Sequence, residues 1–208
     1  LKITDTDELY VAMRNVLGKG EVFEGSVAYG TVQNFAYFVG DYNLNYNRFK
    51  VDYQNVKQLH VNASYNREIN KLISLNVNAN YYDWDKEVYH KPNFTCAISA
   101  PVNLRDKIKV IPSVNYMGER GGRQEYSGLT FGDPIDPDRG FVYPDSGAPH
   151  TIAELPAQFH ANLGLYYNYT KNISAYLQLN NLTNSKQDVW IGYREVGFNG
   201  LFGLNYSF

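Results

Sequence analysis

Phe198-Asn199-Gly200-Leu201-Phe202-Gly203-Leu204-Asn205-Tyr206-Ser207-Phe208 closes the sequence. Phe202, Leu204, Tyr206 and Phe208 are apolar, while Gly203, Asn205 and Ser207 between them are small or polar. A period of two is the strand period, because successive side chains point to opposite faces of the pleat. The chain then ends on aromatic residues with nothing after them to provide cover. An ordinary terminal strand of a soluble sandwich is one reading. A strand whose apolar face meets lipid, with aromatics at the water boundary, accounts better for the exposed ending.

Upstream, the same period recurs. The run 71–82 alternates Ile73, Leu75, Val77, Ala79 and Tyr81 with Ser74, Asn76, Asn78 and Asn80. Comparable alternation predicts strands at 21–32, 35–46, 56–67, 92–102, 107–117, 156–169 and 173–183. Cys96 falls among the apolar positions of its strand, so it reads as a small apolar residue. The opposite faces carry Asn, Ser, Gln and Gly with few charges, unlike the Lys- and Glu-rich outer face of a soluble sandwich. That suits the wet interior of a membrane barrel. Strand lengths of about 10 to 12 residues match tilted bilayer spans.

The predicted connections sort themselves. Those at 33–34, 68–70, 103–106 and 170–172 are short; those at 47–55, 83–91, 118–155 and 184–197 are long. Alternation of short turns and long loops is the pattern of outer-membrane barrels, whose turns face the periplasm. Before the first strand, Leu9, Ala12, Met13, Val16 and Leu17 fall at helical spacing between capping residues at Thr4–Asp7 and a stop at Gly18. The spacing predicts a short helix in a loop over 1–20, leaving 21–208 for the strands.

Composition agrees. The 208 residues are 44% hydrophobic, yet mean hydropathy is −0.43, so apolar and polar residues are finely interleaved. Tyrosine occurs 19 times, and asparagine is more frequent still. A net charge of −2 gives no basic footprint for nucleic acid. A single cysteine excludes an intramolecular disulfide framework. The longest nearly unbroken apolar run, Phe35 to Val39, is too short for a membrane helix. The chain starts on Leu1, and an odd count of about nine strands does not close an antiparallel barrel, so a piece of a larger barrel is expected.

Leu155-Pro156, Thr170-Lys171-Asn172-Ile173-Ser174-Ala175-Tyr176, Asn180-Asn181-Leu182-Thr183-Asn184 and the terminal strand together resemble the carboxyl-terminal end of TonB-dependent outer-membrane receptors. The likeness covers the last 55 residues or so, and the richness in Tyr and Asn resembles members from Bacteroidetes. Trp190-Ile191-Gly192-Tyr193-Arg194-Glu195 does not look like the ending of the starch-utilisation branch. The resemblance implies an all-β antiparallel transmembrane barrel of about 22 strands in the bacterial outer membrane, plugged by an amino-terminal domain to which nothing here corresponds. It also implies uptake of a scarce nutrient such as a siderophore, cobalamin, oligosaccharide or peptide. The partners would be membrane lipid, the rest of the barrel with its plug, the TonB complex and the barrel-assembly machinery. Phe202, Leu204, Tyr206 and Phe208 would then be the insertion signal. A self-contained small barrel acting as an adhesin and a soluble carbohydrate-binding module are the alternatives.

The long loops hold the candidate ligand-binding residues. Trp84 and Tyr89 lie in a loop that mixes aromatic and charged groups, as do Trp190, Tyr193 and Arg194. Both loops read equally as binding loops or as an interfacial aromatic belt with solvated tips. Arg120 and Arg123 suit an anionic ligand or are solvated charges. Asp133, Asp136 and Asp138 offer oxygen ligands to calcium, although Asp-Pro pairs also initiate turns. His60 and His160 fall on predicted inner faces, far apart in sequence. No phosphate loop, metalloprotease helix, paired-cysteine motif or serine elbow is present, so no enzyme is expected.

Overall fold

A computed structural model describes residues 2–18, 20–43, 46–105, 107–126 and 150–207. These form 14 strands and no helix: β1 (Asp5–Gly18), β2 (Glu21–Asn43), β3 (Tyr46–Glu68), β4 (Ser74–Trp84), β5 (Phe94–Ser99), β6 (Val102–Leu104), β7 (Ile108–Met117), β8 (Arg120–Tyr126), β9 (His150–Leu155), β10 (Gln158–Asn168), β11 (Ile173–Asn180), β12 (Asp188–Trp190), β13 (Tyr193–Arg194) and β14 (Asn199–Tyr206). A 12-stranded sheet contains nine staves: β1, β2, β3, β4, β5 continued by β6, β7, β10, β11 and β14, each antiparallel to the next. β1 and β14 are the edges of the nine staves, and β8 with β9 extends the sheet from the upper part of β2. The fold is an antiparallel transmembrane barrel segment, with the short turns at one end and the carboxyl-terminal strand descending to that same end, where Ile173 pairs with Tyr206.

The register separates the faces. Val11, Val27, Val61, Tyr81 and Phe94 lie side by side across five staves. The next row is Met13, Gly25, Ala63, Ala79, Cys96, Tyr116 and Phe159. Farther round come Val110, Leu165, Leu177 and Phe202. The opposite face puts Ser64, Asn78, Ala97, Asn115 and His160 in one row, and Asn66, Asn76, Ser99, Ser113 and Asn162 in another. Along β3 and β4 the apolar face carries small or branched residues at mid-strand and Tyr65 and Tyr81 toward opposite ends. Phe159 and Tyr167 do the same on β10, the aromatic girdle of a bilayer-spanning strand.

Burial makes the same point. The buried apolar side chains among the described residues are Val32, Tyr37, Val39, Val56, Val88, Tyr89, Leu155 and Ile191, all beyond the long-loop end of the apolar band. Within the band Val11, Val27, Phe202 and Leu204 remain exposed. A sheet that leaves its apolar face uncovered while its amide face is hydrogen-bonded calls for lipid outside.

Four expectations are corrected. Residues 5–18 are a strand, not a helix. Leu9, Val11 and Met13 alternate on one face opposite Tyr29, Val27 and Gly25, and the backbone groups that a helix would satisfy internally pair with β2 instead. The long β2 edge overrides a modest local helical spacing. Gln33-Asn34 is not a turn but a β-bulge inside one 23-residue strand, with Asn34 at φ 52°, so the two expected strands are one. Asn34 is fixed there because its N–H donates to Asn55 Oδ1 at 2.9 Å and its side chain donates to the Ile3 carbonyl at 3.1 Å. The expected loop 47–55 is the upper half of β3. The expected strand 92–102 is interrupted at Pro101, which has no N–H for the ladder.

Candidate functional site

Above the bulge, β2 and β3 continue as a hairpin that stands clear of the apolar band, and the other long loops pack onto it. β8 joins β2 in parallel, with Gly40, Asp41 and Tyr42 opposite Gln124, Glu125 and Tyr126. β9 pairs with β8. The segment 85–93 inserts Val88 against Val32 and Val56, with Phe35 and Trp84 around them. Tyr89 packs against Tyr37 and Val39. The hairpin β12–β13 turns at Gly192, φ 76°, and lays Ile191 against Gly122. A Cβ on Gly122 would come within 2.6 Å of Ile191 Cδ1, so only glycine admits this approach.

Five aromatic rings meet where these loops converge. His90 stacks on Trp190 with centroids 4.6 Å apart. Phe38 and Phe49 meet the same indole edge-on at 5.1 and 5.6 Å, and Tyr193 lies 5.2 Å from Phe49. Phe38 is 43% and Tyr193 50% exposed, whereas His90 is buried. His90 Nδ1 is 3.1 Å from the Phe38 carbonyl, and its Nε2 has no partner. Burial lowers its pKa, and Arg120 adds to the effect against the Phe38 carbonyl.

Several of the described charges are closed into pairs. Glu125 accepts from Arg123 at 2.8 Å and from Lys50. Arg48 meets Asp41 at 3.1 Å. Arg194 is 3.7 Å from Asp188. Arg120 is buried, reaching Gln158 Oε1 at 3.5 Å and the Asp188 carbonyl at 3.4 Å. Burial lowers its pKa against the opposing field of Glu195. Tyr37 is pushed up to about 12 by burial and by Asp52, which accepts its hydroxyl at 3.2 Å. Burial and the Glu87 hydrogen bond likewise raise Tyr89.

The sequence-predicted residues therefore part company. Trp190 and Tyr193 belong to the aromatic cluster, and Arg194 lies beside them in the same hairpin opposite Asp188. Tyr89 is core, with Arg123 over its ring at 5.9 Å. Trp84 belongs to a separate stack on Tyr82 at 5.6 Å, which in turn stacks on His60 at 4.3 Å. Arg123 pairs with Glu125, and Arg120 is buried against Gln158 and the Asp188 carbonyl. Asp133, Asp136 and Asp138 lie outside the described residues, as does Phe208. Phe202, Leu204 and Tyr206 sit on the apolar face of β14 opposite Leu177, Ala175 and Ile173. His60 and His160 are four staves apart, held by Asn80 at 3.1 Å and Glu195 at 2.5 Å respectively. Phe38, Phe49 and His90 had no sequence signal of their own, because they converge from three different segments. Phe49 between Arg48 and Lys50 was the nearest to one.

No protein-family model matches the sequence, and no curated protein matches it. Solved structures do. The pyoverdine outer-membrane receptor FpvA of Pseudomonas aeruginosa PAO1 superimposes with a TM-score of 0.66 at 14% identity, over 99% of this chain and 30% of its own. A mutant ferric enterobactin receptor PfeA from Pseudomonas aeruginosa gives 0.68 at 13%, over 100% and 32%. The copper transporter OprC gives 0.68 at 10%, over 99% and 31%. This chain spans about a third or less of each. Its fold is that of a continuous part of such an outer-membrane receptor barrel.

Proposed function

We propose that this chain is part of the barrel of a TonB-dependent receptor that imports a scarce nutrient across the bacterial outer membrane. The carrying observation is the two-faced register: apolar rows run unbroken across the staves on one side, amide and hydroxyl rows on the other. The likeness to receptors for pyoverdine and ferric enterobactin and to a copper transporter supports a transport role in the same kind of barrel. β1 and β14 do not pair with each other, which favours a larger barrel over a self-contained small one, since closure alone removes an edge. The remaining staves and a plug would complete it. Energy would come from the TonB complex through that plug, and Phe202, Leu204 and Tyr206 would serve the barrel-assembly machinery.

The test is gel mobility of the native protein from its outer membrane, unheated and heated, together with uptake by intact cells. A species several times larger than 23.8 kDa that shifts on heating is expected, with uptake abolished by a proton uncoupler. A native species of this chain's own mass that still shifts would support the small barrel, and absence from the membrane would overturn both readings.

A further inference from the structure

We infer that the imported solute is uncharged and polyhydroxylated, of the oligosaccharide class; the inference rests on the import reading above and names its substrate. Among the described residues, the loops offer an anion few guanidinium groups without a neighbour. Of the four described arginines beyond the apolar band, Arg48 and Arg123 pair with Asp41 and Glu125, Arg120 is buried against Gln158 and the Asp188 carbonyl, and Arg194 lies 3.7 Å from the Asp188 carboxylate. An anionic chelate is normally gripped by guanidinium groups left open for it, because the bidentate fork matches carboxylate and phosphate oxygens. Here Arg120 and Arg123 are held within the fold, and the exposed Arg48 and Arg194 each lie beside a carboxylate.

What the loops leave open is aromatic. Phe38 and Tyr193 are about half exposed at the edge of the ring cluster, with Phe49 and Trp190 behind them. The C–H face of a pyranose ring packs on such surfaces while its hydroxyls stay hydrated, so stacking selects the ligand without charge.

Below the cluster, the inner wall continues the same chemistry. A groove of about 450 Å³ is lined by Ser64, Asn66, Asn76, Asn78, Ser99 and Asn115, among others, with no charged side chain in it. Each amide both donates and accepts, so the wall can exchange hydrogen bonds with successive hydroxyls as a solute moves past.

The experiment uses the intact protein purified from its outer membrane in detergent. Binding is measured to neutral oligosaccharides of several linkages, to sulfated and uronate-bearing ones, and to a ferric tris-catecholate, between about 50 and 500 mM salt. Neutral oligosaccharides are expected to bind with salt-independent affinity, weakened about tenfold or more by Tyr193→Ala. Tyr193 is exposed, so that variant leaves the fold intact; unchanged neutral-glycan binding in Tyr193→Ala overturns the stacking site. Binding confined to the anionic probes and falling with salt overturns the inference, as does binding of none of the set. Uncoupler-sensitive uptake of a ferric chelate would keep the import reading and remove only this one. Absence of energised uptake of any probe would remove the import reading itself.

Discussion

His90 lies against Trp190 with ring centroids 4.6 Å apart and planes inclined by 27°, joining the segment after β4 to the hairpin before β14. Burial favours the neutral imidazole in this contact and lowers the His90 pKa from its ordinary 6.5. The undocked loop binds the proton more readily, so docking is strongest above pH 6.5 and weakens as pH falls from there through the lower folded value. In a Trp84→Phe background, which silences the second indole, Trp190 emission should shift to the red on acidification, and His90→Asn should flatten the titration. A pH-independent spectrum in the parent would contradict the contact.

Gly122 is the complementary lock on the same hairpin. Gly122→Val places methyl groups where Ile191 Cδ1 and His90 Nε2 already sit, 2.6 and 2.9 Å from the first added atom. Displacing the β12–β13 hairpin should cost about 1 to 3 kcal/mol locally. Limited proteolysis between 185 and 198 should accelerate while the barrel keeps its resistance to heating in detergent. If cleavage is unchanged, the hairpin does not rely on this approach.

The two faces of one strand should respond oppositely to charge. Ala63 lies mid-strand in the apolar row and Ser64 in the amide row. Ala63→Arg forces a guanidinium toward hydrocarbon and should destabilise the intact barrel by about 2 to 4 kcal/mol in lipid. Ser64→Arg should cost far less. Urea unfolding in vesicles measures both, and equal losses would reject the facial assignment.

Legibility divided along physical lines. The period of two in β4, β7, β10 and β14 was visible because every second residue answers to lipid, a uniform solvent that leaves a uniform mark on sequence. The same logic placed Cys96 among apolar neighbours. In β1, Leu9, Met13, Val16 and Leu17 also satisfy a helical spacing, and only the partner strand decides between them. At Asn34 a bulge and a turn share one sequence signal, because αL asparagine serves both. The loop site was half visible: Trp190 and Tyr193 announced themselves as aromatics in a long loop. The surroundings of Arg120, Arg123 and Tyr89 are not legible in the sequence, for one reason. Whether a charged or aromatic loop residue faces solvent or a neighbour depends on contacts with segments remote in sequence.

Gly203 and Tyr176 offer a test of how the terminal strand seats. They are directly opposed between β14 and β11 on the inner face, and a Cβ on Gly203 would fall 2.3 Å from the Tyr176 ring. The ring covers the glycine, pairing a large residue with an absent one as neighbouring strands do to fill a tight spot. Gly203→Val should therefore lift β14 from β11, displacing the outward Phe202 and Leu204 with it. The fraction of heat-resistant protein reaching the outer membrane should fall, and Tyr176→Ala should restore it by opening the space. Rescue would locate the defect in this one cross-strand pair. A loss that Tyr176→Ala fails to repair would mean that Gly203 is needed for its backbone freedom and not for the room it leaves.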